Sequence, residues 1–558
     1  KLDIEAGNPF LYRLRSSAQQ PIADLFYKVG QEIQELEKLQ PDITKHPGLM
    51  KGHLPFMGEI LLGHLRYGTQ GKNNIEFCHP FIKRNLVPAK NLALAGNFNL
   101  VNTEELYQHI NVTPGTFEKE SDLAAMMEVV HHFLEKEEHI NPNNPNIVNV
   151  LKNAVPLFDG GFTVGGLLGN GFSFIMRDAH GIRPAYYYID DEVIVAASER
   201  AAIRTTFNVA ENEVLELMPG MALIVDDHGK YSIEQIVAPN ERRACSFERI
   251  YFSRGSDEKI YRERIALGNH LSVRVLDRIE KDLKNTIFSY IPNTAEVAFY
   301  GLVKGMEEYL NKIKVERILS WGNEVDPEKL EAMVNRKIRQ EKIAIKDVKL
   351  RTFITDDANR NEMVQHVYDI TYGTVRKDED TLVVIDDSIV RGTTLKESII
   401  KMLARLSPKK IIVVSSAPQI RYPDCYGIDM SKMGDFIAFR AVIALLNETG
   451  KSNIIADVLQ KIKALEAKGE LYTENVVRQL YKPFTPEEIS DKIAQLITPE
   501  NFNIPVEVIY QTIEDLHLCC PTNTGDWYFT GNYPTPGGNK VCNKAFVNYM
   551  EGKNVRGY

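Results

Sequence analysis

Long apolar runs are missing from this chain. No stretch of 18 or more hydrophobic residues occurs in its 558, so no membrane-spanning helix is predicted. Cysteine is scarce: six thiols in this length do not make a disulfide framework, and without a C-x-x-C pair they do not suggest a zinc site. A cytoplasmic setting is expected. A basic surplus is absent as well. Acidic residues outnumber basic ones 75 to 66, a net charge of -9, which argues against broad nucleic-acid binding and leaves room for a local cationic site for an anionic metabolite. The G-x-x-x-x-G-K-[ST] phosphate loop is missing, and no secretory signal opens the K-L-D-I-E-A-G start. What remains is 44% hydrophobic and 25% charged, enough to fill the cores of two or three domains.

The most informative stretch is 381–394, T-L-V-V-I-D-D-S-I-V-R-G-T-T. Four apolar residues, Leu382 to Ile385, run into Asp386 and Asp387, and a helical pattern begins at Leu395. This reads as a buried parallel strand, a binding loop and a helix start. In an open α/β sheet such a loop lies outside the carboxyl end of the strand, where ligands bind. Ser388, Gly392, Thr393 and Thr394 can bring hydroxyls and N–H groups around one phosphate, with the helix N-terminus favouring its charge. The two aspartates cannot bind phosphate by themselves; they fit sugar hydroxyls, a divalent cation, or both. The plain alternative is a strand–loop–helix with a capping Ser or Thr. Against it stand two carboxylates at a strand end, where packing has no use for them.

Elsewhere the periodicity predicts a helix over 21–39 and strands at 60–62 and 92–95. The second strand leads into G-N-F-N-L-V-N, where the Asn97 or Asn99 amide could donate to a developing oxyanion or simply occupy a turn. Ser121 or Asp122 can cap a helix beginning at Leu123. A long helix is expected over 262–284. Strands are expected at 286–291, 317–321, 348–354, 381–385 and 410–415, alternating with helices as in a mainly parallel sheet. Residues 452–520 read as helical, and D-W-Y-F-T-G-N-Y-P-T-P-G-G, 526–538, as turn-rich.

Several of these strings resemble one family. The 381–394 stretch resembles the 5-phosphoribosyl-1-pyrophosphate (PRPP) signature of type I phosphoribosyltransferases. G-H-L-R-Y-G-T-Q-G, 63–71, and A-G-N-F-N-L-V-N, 95–102, resemble the glutaminase half of N-terminal-nucleophile amidotransferases. R-D-A-H-G-I-R-P-A at 177–185 resembles the same amidotransferase family, and Y-F-S-R at 251–254, L-R-T-F-I at 350–354 and S-S-A-P-Q-I-R-Y-P-D-C-Y-G-I-D at 415–429 are similar to amidophosphoribosyltransferases in particular. The resemblance implies an αββα glutaminase domain over 1–240, a type I phosphoribosyltransferase α/β domain over 241–460 and a helical, turn-rich extension over 461–558. It implies glutamine-dependent conversion of PRPP to 5-phosphoribosylamine, the entry to purine synthesis.

By the same carry-over, Arg66, Thr69, Gly71 and Asp122 hold glutamine, and Asn97 with the Phe98 backbone N–H forms the oxyanion hole. Asn293, Thr294 and Arg351 serve the pyrophosphate. Asp386 and Asp387 bind the ribose hydroxyls directly or through Mg2+, and Ser388, Ile389, Val390, Arg391, Gly392, Thr393 and Thr394 wrap the 5-phosphate. A flap near 351–372, with Arg360 and His366 as its remaining cations, would close over PRPP. Tyr426, Gly427 and Asp429 would bridge the domains. A homodimer or homotetramer inhibited by purine nucleotides is also implied.

The departures are specific. The family's H-N-G is G-N-F here, Ala295 replaces a serine of the pyrophosphate loop, and residue 1 is Lys where the nucleophilic cysteine is expected. The expectation is that a segment bearing this cysteine precedes Lys1; the alternatives are an ammonia-dependent transferase with an inactive glutaminase half and a non-catalytic PRPP or nucleotide sensor. F-T-G-N-Y-P-T resembles iron–sulfur members, but only Cys245 matches one of their four ligands, and a [4Fe–4S] cluster is not expected.

Overall fold

A computed structural model describes residues 9–65, 74–115, 121–322, 325–346, 368–428, 430–553 and 555–557. It divides into two compact units, one of residues 1–244 together with Cys425–Asp429, the other of 245–424 and 430–558.

In the first unit the strands are β1 (Phe81–Lys83), β2 (Leu92–Leu100), β3 (Gly160–Leu168), β4 (Ser173–Arg177), β5 (Tyr186–Ile189), β6 (Ile194–Ala197), β7 (Leu215–Glu216), β8 (Met221–Val225) and β9 (Tyr231–Gln235). An antiparallel sheet has the order β1-β2-β3-β4-β8-β9, and a smaller one the order β6-β5-β7. The two-residue period of β4 and β8 explains the layering. Phe174, Met176, Ala222 and Ile224 face a core shared with the helix Asp122–Ile140, through Leu123, Met126, Val129, Val130 and Leu134. Their alternates, Ile175, Met221 and Leu223, pack with Tyr187 and Ile189 of the second sheet and with Ala185 just before it. The helix Arg200–Phe207 packs against β5 and β6. The result is helix, sheet, sheet, helix, the expected αββα order. The helix over 21–39 forms as predicted, Pro21–Leu39, with none of its residues buried. Residues 60–62 form no strand. Their side chains are largely exposed, Leu61 at 78%, so three apolar residues found no sheet to join.

The second unit holds β10 (Thr286–Tyr290), β11 (Arg339–Gln340), β12 (Ala344–Lys346), β13 (Tyr368–Ile370), β14 (Thr381–Asp386), β15 (Lys410–Ser415) and β16 (Val506–Tyr510). Its main sheet is parallel throughout, in the order β11-β10-β14-β15-β16, and β12 pairs with β13. Leu382, Val383, Val384 and Ile385 are all buried, as a central parallel strand requires. Val383, Ile385, Ile412 and Val414 meet the helices Glu258–Arg278 and Glu296–Ser320 through Leu271, Val275, Leu302 and Met306.

Two further expectations are corrected in this unit. Residues 317–321 are not a strand: they end the helix Glu296–Ser320, because a short apolar run carries no period of its own and here continues a helical one. Residues 452–520 are not wholly helical, since Val506–Tyr510 pairs in parallel with β15, from Ile411↔Val506 to Ser415↔Tyr510. The strand expected at 348–354 lies outside the described residues.

A buried clamp fixes the start of β14. Asp380, fully buried, accepts from Arg339 Nη2 at 2.9 Å and from Arg376 Nη2 at 2.6 Å and backbone N at 2.7 Å. Burial alone would raise this carboxyl, but the two arginines outweigh it and hold it at about 2. Its charge therefore contributes stability above the ordinary carboxylate value near 4, and that contribution is lost as pH falls towards 2. Asp380→Asn should cost about 2–4 kcal/mol in urea unfolding at neutral pH, less than a fully buried pair because both arginines reach solvent. The difference from wild type should shrink on acidification through that window.

Candidate functional site

The carboxyl ends of β10, β14 and β15 lie side by side, because their registers align Tyr290 with Ile385 and Asp386 with Ser415. Three loops therefore meet: Ile291 to Thr294 after β10, 387–394 after β14, and Ser416 after β15. They are tied by Ile291 N–H donating to Ile385 O (2.9 Å), Ser416 N–H to Asp386 O (3.0 Å) and Ser416 Oγ to Asp387 O (3.1 Å). Asp386 Oδ1 accepts from the Asp387 N–H at 2.9 Å, and Asp387 Oδ1 from Ser388 Oγ at 2.9 Å. Both carboxylates are half-buried. The helix that follows runs through Leu395–Ile399 and Ile400–Ala404, so the loop ends at a helix N-terminus as expected.

The loop's residues divide by role. Thr393 and Thr394 are exposed and Ser388 is half-buried, so their hydroxyls line the surface of the loop. Ile389 is buried and anchors it. Val390 O accepts from the Ile437 N–H at 2.9 Å, and Arg391 pairs with Asp435 at 3.0 Å, which commits that guanidinium to a carboxylate. Gly392 has φ +71°, and a Cβ there would meet Ile497 at 3.0 Å and Ile437 at 3.2 Å. Gly392→Ala should distort the loop and weaken binding of a phosphorylated ligand there about tenfold, roughly 1.4 kcal/mol. Direct titration with PRPP checks this.

Burial holds the Asp386 carboxyl well above the usual carboxylate range, and the neighbouring Asp387 charge pushes it the same way. Burial also pushes Asp387 up to about 6, opposed by the Ser388 hydroxyl, the Arg264 guanidinium and the Thr294 hydroxyl. Two adjacent carboxylates that resist ionising together suit a divalent cation. No cluster of three or more acidic, His or Cys side chains able to hold a metal occurs among the described residues. A pair of carboxylates still fits a cation that completes its shell with water and substrate phosphate oxygens. Thr294 thus joins the acid pair, and Asn293 beside it is exposed.

In the first unit the second constellation lies on β2. Leu100 N–H donates to Asp122 Oδ2 at 3.2 Å and Gly96 N–H to His79 Nδ1 at 3.5 Å. Both N–H groups therefore point away from β3. By the strand's alternation the Phe98 N–H points to the same edge, between them and beyond the end of β1. The Phe98 ring is buried in the helix-side core, while Asn97 is exposed on the opposite face. Ser121, not Asp122, caps the helix, accepting from the Ala124 N–H at 3.3 Å. Gly427 lies against the same strand: at φ +114°, a Cβ on it would come within 3.2 Å of the Phe98 backbone. Gly427→Ala should therefore strain this contact.

Asp122 reaches the edge of the strand that carries Asn97 and Phe98, and Thr294 reaches Asp387 beside Asp386. Arg66, Thr69, Gly71, Arg351, Arg360, His366 and Asp429 lie outside the described residues. Sequence reading missed His79, whose Nδ1 accepts from the Gly96 N–H at 3.5 Å. It missed Arg264, a buried cation that donates to the carbonyls of Arg249 (2.9 Å), Tyr251 (3.3 Å) and Ser253 (2.7 Å). An arginine among apolar helix positions was the available signal for the second.

The Cys245 Sγ lies 3.4 Å from the Tyr528 hydroxyl, and the Cys245 backbone bridges Gly525. The Cys520 thiol engages Glu263, and Cys542 engages Tyr533 and Asn475. Among the described residues none of these thiols belongs to a group of three or more Cys, His or acidic side chains able to hold a metal.

Comparison with known proteins bears out the resemblance read from the motifs. A glutamine amidotransferase domain matches residues 80–205. The amidophosphoribosyltransferase of Saccharomyces cerevisiae is 26% identical over 501 residues, 86% of this chain and 79% of that protein. That of Escherichia coli is 27% identical over 78% of this chain and 76% of its own length. The fold matches that of the glutamine PRPP amidotransferase from B. subtilis complexed with ADP and GMP, with a TM-score of 0.55 at 23% identity over 85% of this chain and 82% of that one. It also matches a structure of the allosteric regulatory enzyme of purine biosynthesis, with a TM-score of 0.57 at 22% identity over 85% and 81%. Among the described residues no helix is long and apolar enough to cross a membrane.

Proposed function

We propose that this chain, whose curated relatives over most of its length are amidophosphoribosyltransferases, makes 5-phosphoribosylamine, pyrophosphate and glutamate from PRPP, glutamine and water in purine biosynthesis. The observation that carries this reading is the meeting of the acid pair, the Thr294 hydroxyl and a helix-backed hydroxyl loop at adjacent carboxyl ends of a parallel sheet. Asp386 and Asp387 hold the ribose hydroxyls. Ser388, Thr393 and Thr394 with the loop N–H groups bind the 5-phosphate, and Asn293 and Thr294 face the pyrophosphate. A Mg2+ ion held by the acid pair would neutralise charge on the departing pyrophosphate. Ammonia forms the new bond to C1 as the C1–O bond breaks, and the surplus proton leaves the nitrogen.

Ammonia comes from the first unit. A thiolate attacks the glutamine amide, and Asn97 with the Phe98 N–H receives the oxyanion. Arg66 and Asp122 bind the α-carboxylate and α-ammonium, with Thr69 and Gly71 shaping the pocket. Arg351 closes on the pyrophosphate. The relative's nucleotide complex supports purine nucleotides as inhibitors. A cytoplasmic homo-oligomer completes the proposal.

Glutamine labelled at its amide nitrogen should deliver that label to phosphoribosylamine. Product labelled only from added ammonium would assign the chain to ammonia-dependent transfer and remove the glutaminase half from the proposal.

A further inference from the structure

Within the first unit, the string R-D-A-H-G-I-R-P-A, 177–185, forms a loop held by two buried side chains. The Asp178 carboxylate accepts from the Phe162 N–H at 3.1 Å, the His180 N–H at 2.9 Å and the Ile182 N–H at 3.1 Å. Arg177 donates through Nε to Arg183 O at 2.8 Å and through Nη2 to Gly181 O at 2.9 Å. The Arg183 carbonyl is thus fixed, and it accepts a second bond, from Thr163 Oγ1 at 3.4 Å. Thr163 lies on β3, and its partner across the strands is Asn97 of β2. Phe162 and Val164 belong to the helix-side core, so Thr163 faces the other way, on the face that carries Asn97. The Gly96 and Leu100 N–H groups point away from β3, which makes Asn97 and Thr163 a hydrogen-bonded pair about 5.5 Å apart at Cα. The neighbours of Thr163 on this face of β3 are Gly161 and Gly165. A Cβ at the first would fall 2.5 Å from Ile182, and one at the second 3.0 Å from Leu62. Thr163 is therefore the one β3 side chain on the floor between Ile182 and Leu62, with Asn97 directly across from it.

A hydroxyl has one hydrogen to donate and two lone pairs that accept. The Thr163 hydrogen is engaged by the Arg183 carbonyl, so Oγ1 offers its cross-strand neighbour an acceptor. An asparagine amide can turn either its oxygen or its NH2 group towards a neighbour, and only the NH2 group serves an oxyanion. We propose that Thr163 is a positioning residue for the glutamine site. Its Oγ1 accepts one hydrogen of the Asn97 NH2 group, which turns the amide oxygen away and leaves the second hydrogen for the oxyanion. The 177–183 loop is the rigid support that keeps Thr163 in its accepting orientation. This inference rests on the proposed oxyanion role of Asn97, and its test separates the two.

Thr163→Val keeps the shape of the side chain and removes the hydroxyl, whereas Thr163→Ser keeps the hydroxyl. In the full-length protein Thr163→Val should lower kcat with glutamine about tenfold and leave its KM, and turnover with ammonium salt, within twofold. Thr163→Ser should stay within threefold of wild type on every count. Thr163→Ala reads the same loss if Thr163→Val fails to fold. An equal fall with ammonium salt, or a serine variant no better than the valine one, overturns the proposal. Neutron diffraction from wild-type crystals supplies a readout that needs no activity: an Asn97 Nδ2 deuteron should point at Thr163 Oγ1, with the two atoms about 3 Å apart. The amide oxygen in that place, or a separation beyond about 4 Å, overturns the proposal as well. If wild type turns over with ammonium salt and not with glutamine, the glutamine half of the proposed function fails, and the diffraction result still decides whether Thr163 sets the Asn97 amide.

Discussion

Asp386→Asn and Asp387→Asn should each lower PRPP turnover on the order of a thousandfold, yet make the ligand-free protein more stable at neutral pH. Both effects come from one cause. The two carboxylates are half-buried side by side, and both are held above their ordinary range. At Asp387 the raised folded-state value means that the native chain binds more protons than the unfolded chain between about pH 4 and 6. Its contribution to stability is therefore greatest below pH 4 and falls as pH rises through 6, and Asp386 shifts stability in the same direction. At neutral pH the ligand-free fold carries the cost of holding these carboxylates buried beside each other. Removing one charge should return about 1–2 kcal/mol, after discounting for partial exposure. Urea unfolding at pH 7 and pH 4.5 measures this: the variants should exceed wild type at the first and approach it at the second. Added Mg2+ with pyrophosphate should stabilise wild type and not the variants. A variant less stable than wild type at pH 7 would show the pair to be a structural feature.

The second large effect is expected at Asn97. Asn97→Ala should lower glutamine-supported turnover about a hundred- to a thousandfold, the usual loss for one oxyanion donor, and leave ammonium-supported turnover near wild type. The strand geometry makes the separation sharp. The Asn97 side chain is exposed on the face opposite the Phe98 ring, so its truncation opens no core cavity and leaves the backbone N–H in place. An equal fall with both nitrogen sources would argue that Asn97 acts through folding. No fall with either would remove it from the site.

Legibility in the sequence followed the range of the interactions. The β14 strand and its acid pair were readable because a continuous apolar run, two carboxylates and a glycine loop are local signals, and the registers on both sides then confirmed a central strand. The helix Pro21–Leu39 was readable from its period. Val506–Tyr510 was missed because V-E-V-I-Y sits among helical segments and becomes a strand only by pairing with the distant Lys410–Ser415. Arg317 to Trp321 was misread because a short apolar run has no intrinsic period. At the sites, Thr294 and Asp387 could be paired through the resemblance alone. The placement of His79 beside Gly96, and of Gly427 on Phe98, depends on contacts that no local pattern announces.

Pyrophosphate release from PRPP by the full-length protein, with Mg2+ and either glutamine or ammonium salt, tests the central claim most directly. The account predicts release that requires the cation and a nitrogen source and disappears in Asp386→Asn. Tight PRPP binding with no release from either nitrogen source would contradict it, and would make the same loop the recognition site of a sensor.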